Sequence, residues 1–131
     1  MAFIKGEPIS LKLPVERAIL VSAPLKRSAH KIHADEYLEE LARLADTAGA
    51  EVVGFVTQNL DRPHAATYLG SGKVDELKDR ISELQATLVI FDDELSPAQS
   101  KNVETLITTR VMDRAELILD IFATRARSNE A

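Results

Sequence analysis

The sequence contains no cysteine and no tryptophan, and its 131 residues include only five glycines and five prolines. Without cysteine there is no disulfide scaffold, no cysteine-ligated zinc site, no iron–sulfur cluster and no thiol nucleophile. Long apolar runs are also absent. A membrane helix needs roughly 18 consecutive apolar residues, and stretches such as Leu88 to Phe91 reach only strand length. The opening residues Met1 to Pro8 lack the apolar core and small-residue cleavage site of a secretory signal, so a cytoplasmic address is expected. Basic charge is in deficit as well. Sixteen Lys and Arg stand against 21 Asp and Glu, a net charge of −5. That excludes a surface that is basic throughout, while leaving room for a local basic patch.

What is there is an ordinary globular composition, 45% hydrophobic and 28% charged, in a chain the length of one domain. A chain of this size buries roughly 65% of its unfolded surface, enough for a core without staples. Residues 1–16 hold two prolines and scattered apolar residues with no helical period, and they read as an extended arm or an edge strand. From residue 17 to 131 short β-branched runs alternate with helical periods.

Arg17 to Ala23 is expected to be a buried strand stopped by Pro24. Leu38, Leu41, Leu44, Ala45 and Ala48 share one helical face, and Gly49 stands where a helix end takes positive φ. Glu51 to Thr57 is the second strand, followed after a long loop by a helix on Val74, Leu77, Ile81 and Leu84. Thr87 to Asp92 is the third strand. Ser96-Pro97-Ala98-Gln99 then gives a cap, a first-turn proline and a capping box. Arg110 to Asp113 is a short fourth strand, and Asp113 caps a last helix running to about Arg127.

Strands that are apolar along their length are covered on both faces. The expected fold is therefore α/β: a four-stranded, mainly parallel, doubly wound sheet with helices on both faces. Helices on both faces require a reversal of winding, which favours the strand order 2-1-3-4.

In such a sheet ligands bind beyond the carboxyl ends of the strands. The loop after the first strand carries Lys26, Arg27, His30, Lys31 and His33 and no acidic residue. The loop after the second carries Arg62, His64 and Lys73 against one acid, Asp61. Together they form a positive pole suited to phosphate, including an RNA backbone. The alternative is a pair of solvated loops without a ligand.

Gly70, Ser71, Gly72 and Lys73 resemble half of a phosphate-binding P-loop at a helix start. The full pattern wants glycine at the place of Thr67 and a hydroxyl residue at the place of Val74. Free N–H groups there can still hold an anion, which keeps a small nucleotide-binding domain as a second functional class. Asp92-Asp93-Glu94 occupies the position of a phospho-accepting aspartate, but the basic first loop supplies no acidic pair to hold a metal. Its expected role is to cap the approach to the Ser96 helix. No residues combine into a catalytic centre, and no metal site is expected. In the last helix Leu117, Ile118, Leu119, Ile121 and Phe122 make a broader apolar surface than one sheet face needs. Leu117, Leu119 and Phe122 are expected to meet another domain or a second copy of the chain.

Four blocks have a further meaning: Thr47 to Gly54, Ala66 to Leu77, Val89 to Gln99 and Val111 to Arg127. In this order and spacing they resemble the signature blocks of the N-terminal domain of HflX-type GTPases, from about Arg17 to Arg127. The resemblance implies a domain that precedes a long helical segment and a GTPase domain, the last helix extending toward that segment. It implies binding to the large ribosomal subunit and its RNA near the peptidyl transferase region, with a role in dissociating or rescuing ribosomes. GTP and Mg²⁺ would belong to the GTPase domain absent from this chain, and no cofactor is expected in the chain itself. Some members are also suggested to bind adenine nucleotides through this domain.

Overall fold

The structure, a computed structural model, describes residues 9, 14–25 and 33–130, with side chains described as far as Thr124. Four strands alternate with four helices among these residues: β1 (Arg17–Ser22), α1 (Ala34–Ala48), β2 (Glu51–Thr57), α2 (Ser71–Leu84), β3 (Leu88–Phe91), α3 (Pro97–Ile107), β4 (Arg110–Asp113) and α4 (Arg114–Glu130). All strand pairs are parallel. Their order across the sheet is β2-β1-β3-β4, as the need for a reversal between β1 and β3 predicts.

Side chains that alternate along the central strands feed two cores. Ala18, Leu20, Leu88, Ile90 and Met112 meet Leu41 and Ala45 of α1 and Leu117 of α4. Ile19, Val21, Val89, Phe91 and Val111 meet Val74 and Leu77 of α2 and Val103 and Ile107 of α3. Each fully buried Leu, Ile or Phe contributes about 1.5–3 kcal/mol by removal from water, so burial on both faces is what holds the sheet.

β2 departs from the expectation of strands apolar throughout. It lies at the sheet edge, alternates between buried and exposed positions, and leaves Phe55 50% exposed. An extra residue at Val53 bulges the pairing with β1, since Ala18 faces Val52 while Ile19 faces Gly54. An edge strand has a neighbour on one side and looser cover from the helices, so part of its apolar surface meets water.

The helix ends follow their local chemistry. Gly49 takes φ 98°, its N–H donates to Asp46 O at 3.0 Å, and Ala50 N–H reaches back to Ala45 O at 3.0 Å. Ser96 Oγ accepts from Gln99 N–H at 3.1 Å while Gln99 Oε1 accepts from Ser96 N–H at 2.9 Å, which completes the capping box. Asp113 Oδ1 accepts the Glu116 N–H at 2.9 Å and starts α4 in the same way.

The N-terminal arm lies outside the described residues except for Ile9 and residues 14–16. Ile9 is buried in the α1–α4 core, and its N–H donates to Asp120 Oδ2 on α4. The broad apolar run of α4 divides between two sides. Leu117 is fully buried within the chain, so its expected contact with a partner is corrected: its side chain is spent on Leu41 and Met112. Leu119 and Phe122 point away, 67% and 66% exposed. Among the described residues no helix is long and apolar enough to cross a membrane.

Candidate nucleic-acid interface

The carboxyl ends of the four strands form one edge, onto which the long β2–α2 loop folds. Gln58 N–H bonds Ser22 O at 3.0 Å and Leu60 N–H bonds Pro24 O at 3.1 Å, so the loop begins as a continuation of the β1–β2 pairing. Leu60 is buried there, and residues Asn59 to Ala65 then line an open cleft of about 580 Å³.

Within this loop His64 and Tyr68 close a five-residue hairpin through two backbone bonds, His64 N–H to Tyr68 O at 3.0 Å and Tyr68 N–H to His64 O at 2.9 Å. The geometry requires positive φ at Tyr68, 64°, a left-handed conformation unusual for an aromatic residue. Tertiary anchoring holds it there. Its ring packs edge-on against Phe91 with centroids 6.5 Å apart, and its hydroxyl bonds Asp93. Burial first, and then the charge and hydrogen bond of Asp93 and the charge of Asp92, push the phenol up to about 12. Asp93 Oδ2 also accepts the Ala23 N–H at 3.0 Å, so one carboxylate ties the hairpin to the ends of both central strands.

Helix α3 braces the hairpin from the other side. Gln99 Nε2 donates to His64 O at 3.0 Å and Asn102 Nδ2 donates to Ala66 O at 2.9 Å. Gln58 Oε1 accepts the Gly70 N–H at 3.1 Å at the loop's exit into α2.

The residues expected to carry charge are distributed as follows. Lys26, Arg27, His30 and Lys31 lie outside the described residues. His33 occupies the N-cap position of α1, makes no capping hydrogen bond with its side chain, and stands 3.5 Å from the Glu36 carboxylate. Arg62 and His64 are exposed on the cleft wall, with no ion-pair partner among the described residues. Lys73 Nζ is 3.2 Å from the Glu76 carboxylate on the same helix, so it already has a local counter-charge.

Gly70 is the N-cap of α2 at φ −65°, and Ser71 and Gly72 are exposed in its first turn. A Cβ on Gly72 would meet nothing within 4 Å. The turn into α2 therefore does not need glycine's conformational freedom, and the left-handed residue of this loop is Tyr68.

The acidic segment after β3 differs from its expected capping role. Asp92 is buried and receives the Arg114 guanidinium, with Nε at 2.9 Å from Oδ1 and Nη2 on the same oxygen. Arg114 Nη1 reaches Glu40 Oε1 and Nη2 reaches Tyr37 O, each at 2.7 Å, so this side chain joins β3, α4 and α1. Asp113 Oδ2 accepts the Leu95 N–H at 3.1 Å. Among the described residues no group of three or more His, Asp or Glu could hold a metal ion.

Sequence reasoning did not find Tyr68, Asp93, Gln99 and Asn102 as the frame of the loop. One signal was available for Gln99: the capping box uses its amide oxygen and leaves the NH₂ to be placed.

Comparison with known proteins adds to this geometry. A family model described as "GTP-binding GTPase N-terminal" matches residues 35–123. A "GTPase HflX" of Lacrimispora saccharolytica is 51% identical over 124 residues, 95% of this chain and 29% of that protein. A "GTPase HflX" of Escherichia coli is 43% identical over 95 residues, 72% of this chain and 22% of that protein. Among solved structures, one described as a complex of SsGBP and GDP superimposes with TM-score 0.64 at 21% identity, over 84% of this chain and 29% of that one. A GTP-binding protein of Sulfolobus solfataricus in complex with GDP gives TM-score 0.61 at 20% identity, covering 83% and 30%. These two share the fold. The chain spans less than a third of the length of the relatives it matches.

Proposed function

The chain belongs to the HflX family of GTPases, as the N-terminal domain of that family, and on this premise we propose that it is a module for binding large-ribosomal-subunit RNA. The observation that supports this most is the β2–α2 loop: stiffly held at the carboxyl edge of the sheet, it offers Arg62 and His64 to solvent beside the exposed first turn of α2. Guanidinium, imidazole and free backbone N–H groups at one edge are the donors that RNA phosphates recruit. Lys26, Arg27, Lys31, His30 and His33 of the first loop would extend the same pole.

The role follows as binding and positioning rather than chemistry. The domain would take a wedge-like place on the large subunit, in a protein that dissociates or rescues ribosomes in the cytoplasm. GTP and Mg²⁺ would act in a GTPase domain outside this chain. Leu119 and Phe122 of α4 would face that domain or the helical segment before it, with a dimer of the isolated chain as the competing occupant.

The test is co-sedimentation of the full-length protein with large subunits across a salt series. Arg62→Glu, or Lys26→Glu with Arg27→Glu, should weaken binding and flatten the salt slope, by about 0.7–0.9 per lost phosphate contact. Unchanged binding across the series would refute the proposal. The second functional class, nucleotide binding at Gly70 to Lys73, has one observation in its favour: the first turn of α2 is open, with no side-chain cap. Calorimetry of the chain with ATP and GTP separates the two classes, since RNA binding predicts no appreciable heat.

A further inference from the structure

We propose that the His64–Tyr68 hairpin is a preformed contact finger that enters a narrow RNA groove with its backbone leading, and that Gln99 and Asn102 are its positioning residues. The proposal rests on the RNA-binding function above and names the element that makes the contact.

Three observations carry it. First, the finger is locked from several directions: by its own pair of backbone bonds, by Tyr68 on Phe91 and Asp93, and by two side-chain amides of α3 on the carbonyls of residues 64 and 66. A loop so held loses its conformational entropy on folding rather than on binding, which is the condition for a rigid recognition element.

Second, its exposed tip is Ala65-Ala66, with no side chain longer than a methyl, while the third turn residue, Thr67, is half-buried with its hydroxyl donating to Leu69 O at 2.8 Å. No acceptor among the described residues bonds the N–H of either residue. A bare backbone can approach within hydrogen-bond distance of a surface that would exclude larger side chains.

Third, the chemistry around the tip selects the partner. The tip lacks the large apolar anchor that protein interfaces bury at their centre. Its neighbours Arg62 and His64 are exposed donors, and the one acid on the same wall, Asp61, is itself engaged. A donor-rich, small-tipped finger matches the phosphate-lined walls of folded RNA.

Gln99 has two functions through one amide. Its oxygen completes the capping box of α3 and its NH₂ holds the finger. Gln99→Glu keeps an acceptor for the box and removes the donor to His64 O. Asn102→Ala is cleaner still, because it adds no charge and places a better helix former in α3.

Binding to intact large subunits and to protein-free large-subunit RNA is measured with the full-length protein, alongside thermal melting. Asn102→Ala should leave the melting temperature unchanged or raised while lowering affinity about five-fold, the net worth of one hydrogen bond. Ala65→Trp should also fold normally and lose at least about ten-fold. If Ala65→Trp and Asn102→Ala bind like the parent while Arg62→Glu and Lys73→Glu weaken, the finger is overturned and the RNA-binding function stands. If none of the four changes binding, the RNA-binding function falls and the finger with it. Weakening by Ala65→Trp alone keeps the finger and overturns the role of Asn102. A loss seen on intact subunits but not on protein-free RNA makes the partner a ribosomal protein and overturns the RNA assignment.

Discussion

Replacing Arg114 by methionine tests how the carboxyl edge is held. The guanidinium spans three elements: it bonds Asp92 after β3 and reaches Glu40 and the Tyr37 carbonyl on α1. These bonds differ in worth. Glu40 is a solvent-exposed partner, and that pair contributes at most about 1 kcal/mol. The Asp92 side chain has no exposure, while that of Arg114 is 21% exposed. Removing one member of a buried pair costs about 3–5 kcal/mol because a desolvated charge loses its counter-charge. Access of water to Arg114 places the expected loss at the lower end, about 3 kcal/mol. For a domain of this size that corresponds to a drop in melting temperature of roughly 10–15 °C. Urea unfolding followed by circular dichroism at 222 nm reads it as a lower midpoint at unchanged m-value. Adding Asp92→Asn to Arg114→Met removes the stranded charge, so the double variant should recover at least about half of the loss. A single variant within about 1 kcal/mol of the parent, or a double variant whose loss equals the sum of the singles, would refute this account of the edge.

Three further outcomes are expected. Gly49→Ala places a Cβ at φ 98° and should cost about 1 kcal/mol, with Gly49→Asn costing less; equal melting temperatures for Gly49→Ala and the parent would count against the left-handed cap. The Tyr68 phenol has its folded pKa raised to about 12 from an ordinary 10, so its contribution to stability is complete below about pH 10 and is lost as pH rises toward 12. Absorbance at 295 nm should show a late phase near pH 12 that Tyr68→Phe removes, and a titration unaffected by that substitution would contradict the buried phenol. Leu119→Ser with Phe122→Ser should leave the stability of the chain within about 0.5 kcal/mol while reducing its association with other domains or copies, measured by sizing chromatography; a large loss of stability would mean that both side chains pack internally.

Much of the fold was legible because it depends on local chemistry. The runs at Ile19 and Val89, the glycine at 49 and the Ser96–Gln99 box each carry their physical reason within a few residues. What was not legible depends on which elements become neighbours. That Phe55 would be half exposed follows from β2 being an edge strand, and the apolar character of the segment does not reveal it. The phase of α4 was hidden because five apolar residues in six leave every rotation plausible. On its buried side Asp120 accepts the N–H of the distant Ile9 and Leu117 enters the core, while Leu119 faces outward. Likewise the loop after β2 announced glycines at 70 and 72, but the left-handed position fell on Tyr68, where Phe91 and Asp93 compensate the strain.

The same long-range contacts remove three carboxylates from the edge that the proposed function assigns to RNA. Asp92, Asp93 and Asp113 stand at the carboxyl ends of β3 and β4, where three free carboxylates would repel phosphate. Each is engaged inward: Asp92 by Arg114, Asp93 by the Ala23 amide and the Tyr68 hydroxyl, Asp113 by the amides of Leu95 and Glu116. Exposed acids crowd the outer faces of α1 and α2, at Asp35, Glu36, Glu39 and Glu40 and at Asp75, Glu76, Asp79 and Glu83, whereas the carboxyl edge keeps Asp61 on the cleft wall and Glu94 after β3. A polyanion approaching those faces meets like charge within a Debye length. One approaching edge-on meets Arg62, His64 and the first turn of α2 together with two exposed acids, Asp61 and Glu94. Under the proposed RNA-binding function, a net charge of −5 concentrated on the faces of α1 and α2 would orient the partner toward the edge that carries the Ala65-Ala66 tip.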